Sequence, residues 1–286
     1  MNLEKKFKDR VCQECNKTFK VEVIEGAFNW LPEIYCSDKC SEDSKRKAEA
    51  SLNKKIDTKC EICGEKYFYT LKESHKNRVR ERLCSEECFN IEQEKKELDR
   101  IKGWIASVIP PKYVNIDTDR RNLLESSKND SLFITGGVGS GKTVFMSSLA
   151  KLAMKNNKNV KWILYPDFIM KLQNAYKTGT ISIDMGRGLH SKEMTPYELA
   201  DSIAKYDGIL FIDDLGAEKL TDFVRQTTYL IINHREQYLL QTVITSNFSL
   251  AQIDNQIDMR ISSRIAGMCK VLKFSGADRR IKNKAT

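Results

Sequence analysis

Nine cysteines and one glycine-framed lysine mark where this 286-residue chain could do chemistry. Cys12, Cys15, Cys36 and Cys40 are followed by Cys60, Cys63, Cys84 and Cys88, each lying 48 residues after its counterpart. The frame C-x2-C-x20-C-x3-C is thus written twice, an internal duplication. Four soft ligands at such spacing suit a tetrahedral Zn²⁺, and a reducing compartment keeps thiols out of disulfides, so two Zn²⁺ per chain are expected. Four thiolates close the coordination shell and leave no position for a reactive water, which points to a structural role. Inert buried cysteine is the plain alternative, and two copies of one frame argue against it. His75 has no counterpart in the first copy and reads as a surface residue, whereas Cys269 stands alone and reads as a core residue.

The second chemistry is a phosphate grip. The β-prone run SLFIT, residues 131 to 135, leads into Gly136, Gly137, Val138, Gly139, Ser140, Gly141, Lys142 and Thr143, and then into the helix-like VFMSSLAKLAMK. This is G-x4-G-K-[ST] in the context of strand, loop and helix that the motif requires. Glycines let backbone N–H groups wrap phosphates, the helix N-terminus adds its positive end, Lys142 would reach the β- and γ-phosphates, and Thr143 could hold Mg²⁺. Downstream, GILFIDDLG is an apolar strand ending in Asp213 and Asp214. Asp213 would complete the Mg²⁺ shell and Asp214 would orient or deprotonate the attacking water. The run TVITSN ends in Asn247, placed to touch the γ-phosphate or its water, or else merely starting a turn.

These groups need elements to hold them. Asn16 and Gly64 follow the first cysteine pairs and tolerate positive φ, as a tight knuckle would demand. Ser37 and Ser85 are expected N-caps of charged helices that carry the second pairs on one face of a first turn. Segments this short cannot bury enough surface to fold alone, and metal binding would supply the difference. Strand-like runs at 131–135, 160–165, 208–216 and 242–247, separated by helical stretches, predict a parallel α/β sheet covered on both faces.

The formal charge of +9 is uneven: residues 1–130 carry an excess of two basic residues and residues 131–286 an excess of seven. Basic surface in the second half fits nucleic-acid contact as well as a merely solvated face. No stretch approaches the roughly 18 apolar residues of a membrane span, and the charged opening MNLEKKFKDR does not read as a signal peptide, so the expected location is cytoplasmic.

From about Gly103 onward the chain resembles the DnaC/DnaI-type helicase-loader branch of the AAA+ ATPases. The resemblance is carried by IPPKYVNID, GGVGSGKT, FIDDLG, ITSN, RISSRIAGM and GADRR, about two thirds of the chain. It implies Arg264, less securely Arg260, as an arginine finger acting on a neighbouring subunit's ATP, Arg280 or Arg279 as sensor 2, and Ile109 to Tyr113 at the adenine end. Two departures stand out. Little sequence follows Lys273, so the helical lid is expected to be small or absent, and the tandem cysteine frame does not align with a loader's zinc-containing N-terminal domain.

The expected organisation is a first four-cysteine zinc module over 1–50, a second with a charged linker helix over 51–102, and an AAA+ domain over 103–286. The resemblance implies an ATPase that loads a ring-shaped replicative helicase onto DNA, with the zinc modules docking on the helicase. The AAA+ domain would self-associate and touch single-stranded DNA. An IstB-like transposition helper ATPase shares the same motifs, and a zinc-finger DNA-binding adaptor with a slow ATP switch is a reading from another class.

Overall fold

The computed structural model describes residues 6–23, 34–183 and 192–276, and the chain divides into two compact units, Met1–Glu97 and Leu98–Thr286.

The first unit repeats one small pattern. Strands β1 (Lys6–Val11) and β2 (Thr18–Val23) form an antiparallel hairpin, and helix α1 (Asp38–Leu52) follows. Strands β3 (Lys55–Lys59) and β4 (Lys66–Thr70) form the second hairpin, then come the short helix α2 (Leu71–Lys76), a 3₁₀ turn over Arg78–Glu81 and helix α3 (Glu86–Val108). Each hairpin closes on the expected knuckle. Cys12 N–H donates to Lys17 O at 2.9 Å with Asn16 at φ 58°, and Cys60 N–H donates to Glu65 O at 2.9 Å with Gly64 at φ 75°. The capping follows suit: Ser37 Oγ accepts from Cys40 N–H and Ser85 Oγ from Cys88 N–H. Around the second set a small core gathers Leu83, Ile62, Tyr67, Val79 and Phe89.

The second unit takes in the last turns of α3, then α4 (Pro111–Val114), α5 (Arg121–Ser127), β5 (Leu132–Gly136), α6 (Lys142–Lys155), β6 (Val160–Leu164) and α7 (Tyr165–Thr178). A two-stranded antiparallel ribbon of β7 (Ile181–Ile183) and β8 (Lys192–Met194) precedes α8 (Pro196–Ala204). Then come β9 (Ile209–Leu215), α9 (Asp222–Gln237), β10 (Thr242–Ser246), α10 (Leu250–Gln256), α11 (Met259–Met268) and β11 (Lys270–Phe274).

Five strands make one parallel sheet in the order β11-β5-β10-β9-β6, the expected α/β arrangement. Strand side chains alternate between its faces, as period-two geometry requires. Leu210, Ile212 and Ile244 pack with α7, α8, α9 and α11, while Ile209, Phe211 and Val243 pack with α6 and the end of α3. Because all five strands run the same way, β5, β9 and β10 deliver Gly136, Asp213 and Ser246 to one edge of the sheet, where ligands of open α/β sheets bind. The expected strand over 160–165 is one residue shorter, because Tyr165 opens α7 with Pro166 behind it. Cys269 lies in the core, where burial pushes its thiol up to about 12. Arg279 and Arg280 fall outside the described residues.

At the far edge of the sheet a fully buried arginine staples three elements. Arg235 Nε donates to Thr242 Oγ1 at 2.7 Å, while its terminal nitrogens donate to the carbonyls of Tyr206 at 2.8 Å, Gly208 at 3.1 Å and Gln241 at 2.8 Å. Burial pulls this guanidinium down to about 10. Arg235→Leu removes a fully buried guanidinium from three half-buried carbonyls and from Thr242, and should destabilise the second unit by about 3 kcal/mol or more. A chemical denaturation midpoint on the full chain would read this, and an unchanged midpoint would show that water replaces the staple without loss.

Candidate nucleotide site and cysteine clusters

The glycine loop folds as its sequence demands. Gly139 at φ 73° and Gly141 at φ 91° occupy the left-handed region that side chains resist. Gly136, at φ 154°, lies so close to β11 that an added Cβ would sit 2.0 Å from Phe274 O. Helix α6 starts at Lys142, so its first N–H groups have no intrahelical acceptor and its dipole favours an anion there. Ser140 Oγ is buried beside them without a hydrogen-bond partner, a donor suited to a bound oxygen.

Lys142 Nζ donates to Gly136 O at 2.8 Å, Gly137 O at 2.9 Å and Asn247 Oδ1 at 2.8 Å, so the residue expected to sense phosphate sits on the lysine expected to bind it. Thr143 Oγ1 donates to Asp213 Oδ1 at 3.1 Å, and Thr245 Oγ1 donates to the same oxygen at 2.6 Å. Burial pushes the Asp213 carboxyl up to about 6, with Thr245 pulling the other way and the neighbouring Asp214 charge adding to the rise. The pairing of β9 with β10 slips between Ile244 and Ser246, and Asp214 is the extra residue, at φ 57° with its N–H on Thr245 Oγ1 at 2.9 Å. A bulge of this kind re-aims a side chain. Here it leaves Asp213 toward α6 and turns Asp214 into a cavity of about 400 Å³, whose lining also includes Lys142, Thr143, Asn247 and the loop from Val138 to Gly141.

The opposite wall of that cavity comes from residues 112–120, including Tyr113, Ile116 and Arg120. This corrects one expectation: Tyr113 lines the cavity but Ile109 does not, being 2% exposed and packed in the core beneath the sheet. Arg264 and Arg260 are not in the lining. Arg264 pairs with Glu236 at 2.8 Å, Arg260 with Asp258 at 2.8 Å, and both guanidinium groups lie over the Tyr229 ring, at 5.4 Å and 4.9 Å. Sequence reasoning missed Thr245, a hydroxyl in an apolar strand, and Lys151, a lone lysine on the apolar side of α6; polarity inside a buried run was the available signal for both.

The cysteines converge as their spacing predicts. In each of the two sets, Cys12, Cys15, Cys36, Cys40 and Cys60, Cys63, Cys84, Cys88, all four Sγ atoms lie within 4.8 Å of one another. Burial pushes the Cys12 thiol up, but backbone N–H groups of Cys15, Cys36 and Glu14 outweigh it and bring the group to about 6; Cys60 reaches about 6 in the same way. Cys36 and Cys84 are pushed up to about 12 by hydrogen bonding to neighbouring thiols. Four convergent sulfur ligands per set, with backbone N–H groups favouring thiolate at Cys12 and Cys60, form a donor set that fits Zn²⁺.

The sequence profile of the family described as IstB-like ATP binding protein matches residues 122–286. The chain belongs to this family. Family membership covers the sheet unit from α5 onward, glycine loop and paired aspartates included. The replicative helicase loader DnaI of Bacillus subtilis strain 168 is 24% identical over 169 residues, 54% of this chain and 49% of that protein, so the chain spans about half the length of this curated relative. A crystal structure of DnaI superposes with a TM-score of 0.45 at 21% identity, covering 60% of this chain and 94% of that one. The DnaC helicase loader gives 0.45 at 21% identity, covering 58% and 100%.

Binding and chemistry at the cavity should separate. Lys142→Ala should weaken ATP binding by about tenfold to a hundredfold, through loss of charge-assisted hydrogen bonds. Asp214→Asn should keep ATP affinity and slow hydrolysis by about a hundredfold or more. Calorimetric affinity beside steady-state turnover distinguishes the two, and normal turnover by Asp214→Asn would remove it from the water-orienting role.

Proposed function

We propose that the protein is an ATP-driven loader of a ring-shaped replicative helicase. The observation carrying this is the lining of one cavity by Lys142, Thr143, Asp214 and Asn247, with Asp213 bonded to Thr143 behind them, in a chain related to a helicase loader.

Triphosphate entering the cavity exchanges the Lys142 bonds to Gly136, Gly137 and Asn247 for bonds to phosphate oxygens, and the free N–H groups at the start of α6 face the same charge. Thr143 and Asp213 would hold Mg²⁺, which when bound neutralises charge on the β- and γ-oxygens. Asp214 accepts a hydrogen bond or a proton from the attacking water, and Asn247, released from Lys142, would hold the γ-phosphate. Since Arg264 lies off its own chain's cavity, its reading as a finger requires a neighbouring copy, for which it exchanges Glu236 for phosphate. Self-association of the sheet unit follows, with basic surface for single-stranded DNA. The two four-cysteine modules hold one Zn²⁺ each as scaffolds, and their exposed faces are assigned to the helicase. Transposition help is the second reading, favoured by the family match itself.

The test offers the full-length, zinc-loaded protein with ATP a replicative helicase and, separately, a transposase with its DNA. Retention of the helicase and its assembly on circular single-stranded DNA is expected. Stripping zinc with a chelator should abolish capture and spare ATP turnover. Capture of transposase in place of helicase would overturn the loader reading in favour of the second.

A further inference from the structure

The wall of the cavity that faces the glycine loop is held by a buried ammonium on the same helix that presents the phosphate grip. Lys151 stands nine residues after Lys142 and is 6% exposed. Its Nζ donates to the carbonyl oxygens of Tyr113 at 3.2 Å, Val114 at 3.3 Å and Ile116 at 2.6 Å, and pairs with Asp117 Oδ1 at 2.6 Å. The Asp117 side chain is 77% exposed, so the ion pair alone does not account for burying the ammonium. The three carbonyls supply the remaining compensation, and in doing so they fix the path of the chain that forms the wall. One turn earlier, Ser148 Oγ accepts from Thr118 N–H at 2.9 Å, a second grip on the same segment.

Helix α6 therefore determines two positions at once. Its first turn offers Lys142 and Thr143 to phosphate, and its third turn sets where Tyr113 and Ile116 stand across the cavity. A nucleotide seated by its phosphates on the glycine loop meets that second wall with its nucleoside end. We infer that Lys151 is a positioning residue for the nucleoside, holding the wall through which a nucleoside triphosphate gains affinity over bare triphosphate. This rests on the nucleotide reading above and adds the group that fixes the wall met by the nucleoside end.

The test measures binding of Mg·ATP and Mg·tripolyphosphate to the full chain, as wild type, Lys151→Met and Lys151→Arg. Methionine keeps most of the apolar stem and removes every donor, while arginine keeps donors. ATP affinity of Lys151→Met should fall by about tenfold while tripolyphosphate affinity is unchanged, as loss of wall hydrogen bonds remote from the phosphates requires. Lys151→Arg should recover part of the ATP affinity, and in turnover KM should rise more than kcat falls. A parallel loss for both ligands, or an ATP affinity equal to wild type in Lys151→Met, would overturn the inference. A wild-type protein that bound neither ligand would overturn the nucleotide reading, and this inference with it.

Discussion

One oxygen of the Asp213 carboxylate joins the three pieces that make the site. It accepts from Thr143 at the head of α6 and from Thr245 on β10, and it belongs to β9. A carboxylate that is 4% exposed is costly to leave charged, and the rise of its pKa records that cost. Two hydroxyls and the nearby Lys142 ammonium lessen it without removing it, so the carboxylate is left with capacity for a cation. The bulge that follows has the same origin. With Asp213 committed to α6, regular alternation would send Asp214 through to the opposite face, and the slip in register with its positive φ turns Asp214 into the cavity instead.

The cysteine modules meet a comparable constraint with less material. Cys12 and Cys60 are buried at the knuckles of two short hairpins, and among the described residues the apolar cluster around the second set is a small one built on Leu83. The backbone N–H groups of each knuckle favour a thiolate at Cys12 and Cys60, while hydrogen bonding to neighbouring thiols raises Cys36 and Cys84. Such a module is organised for a cation before it is organised for itself, which agrees with ligands repeated at fixed spacing while the sequence between them diverges.

Much of this was legible from residue types and spacing. The cysteine frame fixed both clusters, because thiols four apart on a capped first turn and three apart in a knuckle have few other arrangements. The glycine loop, Asp213, Asp214 and Asn247 were legible because a polar or flexible residue interrupts an apolar run at each. The groups acting at a distance were not. Thr245 and Lys151 matter through partners 32 and 35 to 38 residues away along the chain, Asp213 in one case and the carbonyls of 113–116 in the other. Arg235 reads as one more charge on an amphipathic helix until its acceptors on the Ala204–Gly208 turn and on Gln241 are seen in space. Ile109 was misplaced for a related reason: an apolar residue before Pro110-Pro111 suits a cavity wall and a core equally, and the sheet claimed it.

The central claim is that Asp213, with Thr143, holds the metal that accompanies nucleotide. ATP affinity with and without Mg²⁺, compared between wild type and Asp213→Asn in the full chain, tests it most directly. The account predicts that Mg²⁺ tightens ATP binding to the wild type and not to Asp213→Asn, whose metal-free affinity equals or exceeds that of the wild type because a negative charge has left the phosphate site. The same Mg²⁺ dependence in both proteins would contradict it.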